Sequence, residues 1–198
     1  PDVSAHRVMT TVDDINIITA TGHTIASIRS LLANTTYRGF PIVSDTSSPI
    51  LLGYITRNEL SFALKYSTSP TTRNLSDDTQ VFFSHQPFAD PIDTLDLRPW
   101  MDQTPITLNS NITFLIVLRM FQRLGLRYVL FANKGILQGI LTKKDVWSVL
   151  NGVEFRRYEA LQDDAFHNFE NRNEAEEVGL LDGNDTSSLG SSLRRDSL

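Results

Sequence analysis

A twelve-residue stretch occurs twice in this chain, and the repeat limits the folds open to it. GYITRNELSFAL at 53–64 overlays GILTKKDVWSVL at 139–150 without a gap. Upstream, ITATGHTIASIRSLLANTTYRGFPIV at 18–43 overlays ITLNSNITFLIVLRMFQRLGLRYVLF at 106–131, with a connection two residues longer in the first copy. The period exceeds that of solenoid repeats, so the chain reads as two copies of one supersecondary unit packed together.

Within each copy the apolar spacing changes from helical to strand-like. Ile25, Ile28, Leu31 and Leu32, and then Leu115, Leu118 and Phe121, recur at helical spacing. GFPIV and ILLGYIT flank the turn-rich SDTSSP, and RYVLF and ILQGILT flank ANKG, so a pair of strands follows each helix. Asn133, Lys134 and Gly135 are ordinary hairpin residues. Thr56 with Glu59, and Thr142 with Asp145, form the capped start of a closing helix. Each unit is therefore β-α-β-β-α, too small to bury its sheet alone, and the fold class is α/β (α+β) with a core shared by a pseudo-symmetric pair.

The expected organisation is a first unit at 8–66, a mobile connection at 67–92, a second unit at 93–152 and an acidic, mostly disordered tail at 153–198. The connection is rich in Ser, Thr, Asp and Pro, although VFFSHQPF within it has the character of a segment that docks on the surface. The tail carries ten carboxylates between 154 and 185 and lacks core spacing at its end. In RRDSL, two arginines precede Ser197, a layout that basophilic kinases accept.

At 198 residues and 40% hydrophobic, the chain can build a real core. A net charge of −5 leaves no basic field for nucleic acid, so any phosphate must be held locally. Cysteine is absent, which removes disulfides, zinc-thiolate sites and thiol catalysis. The apolar runs fall short of the ~20 residues of a membrane span, and the amino terminus lacks a signal-peptide layout. The chain starts at Pro1, not Met, and is expected to be a soluble piece of a longer protein. His6, His23, His85 and His167 lie in unrelated segments without metal or nucleophile spacing, and no phosphate-loop, dinucleotide or kinase pattern occurs. The residues point away from an enzyme.

Two repeated sheet-and-helix units with polar strand-to-helix junctions resemble a tandem CBS pair. TTYRGFPIV, LLGYITRNEL, LDLRPWMDQTPITL and MFQRLGLRYVLFANKGILQGILTKKDV together resemble the cytoplasmic CBS pair of eukaryotic CLC chloride channels and chloride/proton exchangers, in the endosomal and Golgi branch. The resemblance covers roughly 8–150, and FQRLGLRYVLF running into GILTKKD is its most specific part.

That family implies a cleft between the copies that takes ATP, or ADP or AMP, as a regulatory ligand, with no metal needed for the fold. It implies that Asp145 receives the ribose hydroxyls, a task suited to an acceptor-only carboxylate. It implies that Tyr37 stacks on adenine, with Arg38 and Gly39 in the same motif. Asn16 stands where the pattern has a hydroxyl residue, and its amide offers hydrogen bonds to adenine instead. Lys144, Thr142 and the helix-start N–H groups are candidates for phosphate, as is Arg38. In this overlay Gly125 falls on Tyr37 and Glu59 on Asp145, so one complete site is favoured over two. Each candidate has a plainer reading: Asp145 as a helix cap like Glu59, Tyr37 as a packed aromatic, Lys144 and Arg38 as solvated charges.

The resemblance implies the cytosolic regulatory domain of a CLC protein on an intracellular membrane (endosome, Golgi or vacuole), catalysing nothing itself. Its partners would be the nucleotide, a membrane-embedded transport domain and a second copy in a homodimer. The alternative is a ligand-free interaction or dimerisation module that stabilises the transporter dimer or recruits trafficking partners.

Overall fold

A computed structural model describes residues 3–152; the acidic tail and Ser197 lie outside the described residues. The chain divides after Trp147 into two units, and the fold below is that of the first. The first copy runs β2 (Ile18–Thr19), α1 (Ile25–Asn34), β4 (Gly39–Val43), β5 (Leu51–Thr56) and α2 (Arg57–Thr68), after a two-residue β1 (Thr10–Thr11) and with β3 (His23–Thr24) ahead of α1. The second runs β8 (Thr107–Leu108), α3 (Phe114–Leu124), β9 (Tyr128–Asn133), β10 (Ile136–Thr142) and α4 (Lys143–Asn151). Between them lie β6 (Gln80–Phe82) and β7 (Thr94–Asp96). Both copies are β-α-β-β-α.

The copies repeat each other down to the irregularities. In each, a short first strand runs parallel to the second, which pairs antiparallel with the third. A bulge falls beside Gly53 in one ladder and beside Gly139 in the other. Seven residues, 44–50, separate the paired Val43 and Leu51, against four, 133–136, between Ala132 and Leu137, so the first connection is three residues longer, not two.

Each sheet is completed by the segment leading into the other copy. Thr10 and Thr11, which precede the first copy, pair with Ile140 and Gly139 of the second. Asp102, which precedes the second copy, exchanges two backbone hydrogen bonds of 2.8 Å with Tyr54 of the first. A β-carbon at Gly53 would fall on the carbonyl oxygen of Asp102, and one at Gly139 on that of Thr10. The glycine shared by GYIT and GILT is thus where the exchanged segment crosses the strand, a close approach that a side chain would block.

The main core gathers Ile18, Ile25, Ile28, Phe40, Ile42, Ile55, Leu60, Ala63 and Leu64 from the first copy with Val81, Phe83, Leu95, Leu97 and Met101. Leu31 and Leu32 pack partly buried against it. In α3 the buried stripe is Phe114, Val117, Leu118 and Phe121, an i, i+3, i+4, i+7 face, whereas Leu115 is half-buried beside it.

The connection expected to be mobile is partly built into this core. β6 pairs with β3 and β7 in a small third sheet, and Val81 and Phe83 are fully buried. Arg29 pairs with Asp77 at 2.5 Å, and Arg73 donates to the carbonyls of Pro91, Ile92 and Thr94. Burial of two apolar residues outweighed the polar composition around them. Among the described residues no helix is long and apolar enough to cross a membrane.

Candidate functional site

The loop after α1 carries Tyr37, Arg38 and Gly39. Helix α1 ends at Thr35 in an extended conformation, with no glycine to turn the chain. Its last carbonyls need donors. Arg57, the first residue of α2, supplies them: Nη1 donates to the Leu32 carbonyl (2.8 Å), Nη2 to the carbonyl and Oγ1 of Thr35 (2.6 and 2.8 Å) and Nε to the Tyr37 carbonyl (2.6 Å). The Tyr37 ring is 47% exposed and Arg38 points to solvent. Tyr37 is therefore not a packed aromatic; its backbone is held and its ring is available.

At the other copy's strand-to-helix junction, Thr142 and Asp145 form a closed hydrogen-bonded pair. Asp145 Oδ2 accepts from the N–H (2.9 Å) and Oγ1 (2.6 Å) of Thr142, whose Oγ1 accepts in return from the Asp145 N–H (3.4 Å). No described residue donates to Oδ1. Glu59 caps α2 the same way, accepting from Thr56 through Oε2. Capping therefore accounts for the spacing in both copies, and it occupies one carboxylate oxygen in each. Lys144 is exposed and Asn16 half-buried between Ile15 and Ile17, which pack into the joint between the copies.

Of the seven sequence candidates, the structure joins only Thr142 to Asp145 by hydrogen bonds. Tyr37, Arg38, Gly39 and Asn16 belong to the first copy, and the copies meet where Leu51 donates to the Gly135 carbonyl (2.8 Å) and Leu137 to that of Pro49 (2.9 Å).

Strand register changes the correspondence between copies. Gly39 pairs with Thr56, and Tyr128 pairs with Thr142, so Tyr128 is the counterpart of Gly39 and Leu126 that of Tyr37. Gly125 serves another purpose, closing α3 in the left-handed region at φ 63°. The overlay was displaced by one residue before the helices begin: Thr24 and Thr113 are the N-cap residues of α1 and α3, and they share the spacing that relates Gly39 to Tyr128.

This corrected register exposes a pair that sequence reasoning missed. The rings of Tyr54 and Tyr128 stack at 3.8 Å, and the Tyr54 hydroxyl occupies the place of a Gly39 β-carbon. Burial pushes the Tyr54 phenol up to about 12. Burial likewise raises Tyr128, and the nearby charges of Asp102 and Glu59 raise it further. Tyr128 thus feels the charge of Glu59, while its counterpart in the first copy, Gly39, has no side chain. Met9 and Met101, one in each exchanged segment, lie against Gly139 and Gly53 respectively.

Two repeated β-α-β-β-α units with capped strand-to-helix junctions define a CBS-domain protein, and the CBS domain family model matches residues 96–146. Solved CBS structures share the fold: a hemolysin-like protein from Oenococcus oeni, at TM-score 0.53 and 18% identity over 76% of this chain and 92% of that one, and CBSX2 in complex with AMP, at 0.51 and 14% over 74% and 94%. The chain is more particularly a CBS-domain relative of the CLC H(+)/Cl(-) exchange transporters. It is 32% identical to H(+)/Cl(-) exchange transporter 5 of Cavia porcellus over 134 residues, 67% of this chain, and 30% identical to exchange transporter 3 of Mus musculus over 132 residues, 66% of this chain. The matched part spans 18% and 16% of those two relatives.

Proposed function

We propose that this chain is the cytosolic regulatory domain of an intracellular CLC chloride channel or chloride/proton antiporter, and that it binds ATP, or ADP or AMP, between its copies to modulate chloride transport. The observation that carries the reading is the asymmetry of the two strand-to-helix junctions. Asp145 leaves Oδ1 unused, and the reading pairs it with Gly39 and the exposed Tyr37 ring of the other copy. Glu59 instead acts electrostatically on the half-buried Tyr128 phenol. One nucleotide per chain fits this arrangement better than two.

In this reading Tyr37 stacks on adenine, Asn16 hydrogen-bonds its edge, and Asp145 receives the ribose through Oδ1. Thr142, Lys144, Arg38 and the N-terminal amides of α4 take the phosphates. The CBSX2 structure, a fold neighbour holding AMP, supports this class of ligand. Nucleotide would act by favouring one arrangement of the domain, which requires unequal affinity for the two. In this reading the parent protein lies on an endosome, Golgi or vacuole membrane, with its transport domain and a second copy as partners.

Calorimetric titration with ATP, ADP and AMP tests the proposal. Asp145→Ala should weaken binding by roughly tenfold to a hundredfold, the cost of one charge-assisted contact of about 1.5 to 3 kcal/mol. Tyr37→Ala should cost about 1 to 3 kcal/mol, and Glu59→Ala should leave affinity unchanged. If both site variants bind ATP as the parent does, the site is wrong. One observation favours the second reading, a ligand-free interaction module: Phe62 and Tyr66, exposed on α2, form an aromatic cluster with Trp100, at centroid distances of 5.4 to 6.3 Å. That reading requires no heat with any nucleotide and no thermal shift, where a binder gains about 2.7 kcal/mol at a hundredfold excess over Kd.

A further inference from the structure

The loop bearing Tyr37 is shaped by a side chain outside it. The Arg57 fork spans three backbone carbonyls, of Leu32, Thr35 and Tyr37, over distances of 2.6 to 2.8 Å. Its guanidinium carbon lies 5.8 Å from the centroid of the Phe40 ring, which is fully buried in the strand that follows the loop. Its backbone N–H donates to the Arg38 carbonyl at 2.8 Å. The loop is thereby tied to α2 through Tyr37 and Arg38, the two residues before Gly39.

Ending a helix does not by itself require such a clamp, as the second copy shows. There Lys143 matches Arg57, and its N–H repeats the backbone bond, to the Arg127 carbonyl at 3.0 Å. Its side chain is exposed and bonds to no described residue. Gly125 makes the turn instead. A lysine ammonium is a point charge, whereas only the planar guanidinium presents donors in directions that reach three carbonyls together. The clamp occurs in the copy whose loop carries an exposed aromatic, and not in the copy with Leu126.

We propose that Arg57 is the positioning residue of the nucleotide site: it fixes the backbone from which the Tyr37 ring projects, so that the ring is already set when the base arrives. The inference rests on the reading of Tyr37 as the base-stacking residue. Arg57 itself touches no nucleotide, and it acts on affinity only through Tyr37.

Binding of ATP to the parent chain, Arg57→Lys, Tyr37→Ala and the double variant, with thermal unfolding of each, tests it. Arg57→Lys should weaken ATP about tenfold, and by no more than Tyr37→Ala, since release of the ring cannot cost more than its removal. In the Tyr37→Ala background the same change should cost nothing further, a non-additivity that a general loss of stability would not produce. Thr35→Val, which removes the Oγ1 bonds to Arg57 and to the Leu31 carbonyl and keeps the three backbone contacts of the guanidinium, should give a smaller loss with the fold intact and serves if Arg57→Lys unfolds. If the parent binds and Tyr37→Ala weakens it while Arg57→Lys and Thr35→Val do not, the positioning role is wrong and the site stands. Equal losses from Arg57→Lys with and without Tyr37 also overturn the role. A parent chain that binds no nucleotide overturns the site and, with it, the inference.

Discussion

Single residues in this chain carry two duties that different substitutions separate. Asp145 caps α4 through Oδ2 and leaves Oδ1 for a ligand, so Asp145→Ala should lose stability as well as nucleotide affinity, about 0.5 to 2 kcal/mol from the cap. Glu59→Ala should lose a similar stability and no affinity, and urea unfolding of both variants beside the titrations separates the duties. Gly53 and Gly139 are constrained differently, by the backbone that crosses them. Gly139→Ala drives a methyl group into the Thr10 carbonyl and the Met9 side chain, and an overpacking loss of about 1 to 3 kcal/mol is expected in the same urea experiment. If that variant is as stable as the parent, the exchanged strand does not cross there.

Among the elements, the third sheet has a pH dependence of its own. His23 begins the β3 ladder, 2.9 Å from Thr19 Oγ1 and edge-on to the Phe83 ring. Burial holds its imidazole below the ordinary 6.5, with hydrogen bonding to Thr19 partly opposing. The unfolded chain therefore takes up a proton at a higher pH than the folded one does. Stability is full above 6.5 and declines as pH falls from there through the lower folded value. Urea midpoints at pH 7.5 and 5.5 should differ in the parent and converge in His23→Gln. An unchanged difference in that variant would place the titration elsewhere.

At the scale of the whole molecule, the reciprocal exchange makes the two copies one folding unit. Removing residues 1–11 takes a strand from the second copy's sheet, not from the first copy that it precedes, and leaves β10 as an open edge. Hydrogen exchange should show protection lost first around Gly139 and Ile140, with β4 and β5 retaining theirs. Loss confined to the first copy would refute the exchange. The acidic tail can be removed in a parallel sample as a control for chain length.

The repeat, the order β-α-β-β-α and the capped junctions were legible because they are local: Thr56 and Glu59 lie on one turn, and Ile25 and Ile28 recur with the period of the helix that they form. The resemblance to CBS pairs of CLC proteins rested on such local strings. What local spacing does not encode is which strand an extended segment joins. Thr10–Thr11, Asp102 and Gln80–Phe82 are short and unremarkable in sequence, and only distant partners gave them a place. Register was beyond sequence for the same reason: the ungapped overlay sets Arg127 against Gly39, whereas strand pairing makes Tyr128 its counterpart. The sequence by itself determined the repeated unit and the residue types at its two junctions. Tertiary structure decided that those junctions differ, because the Tyr54–Tyr128 stack and the Arg57 clamp arise from residues far apart in the chain that meet only once the copies are packed.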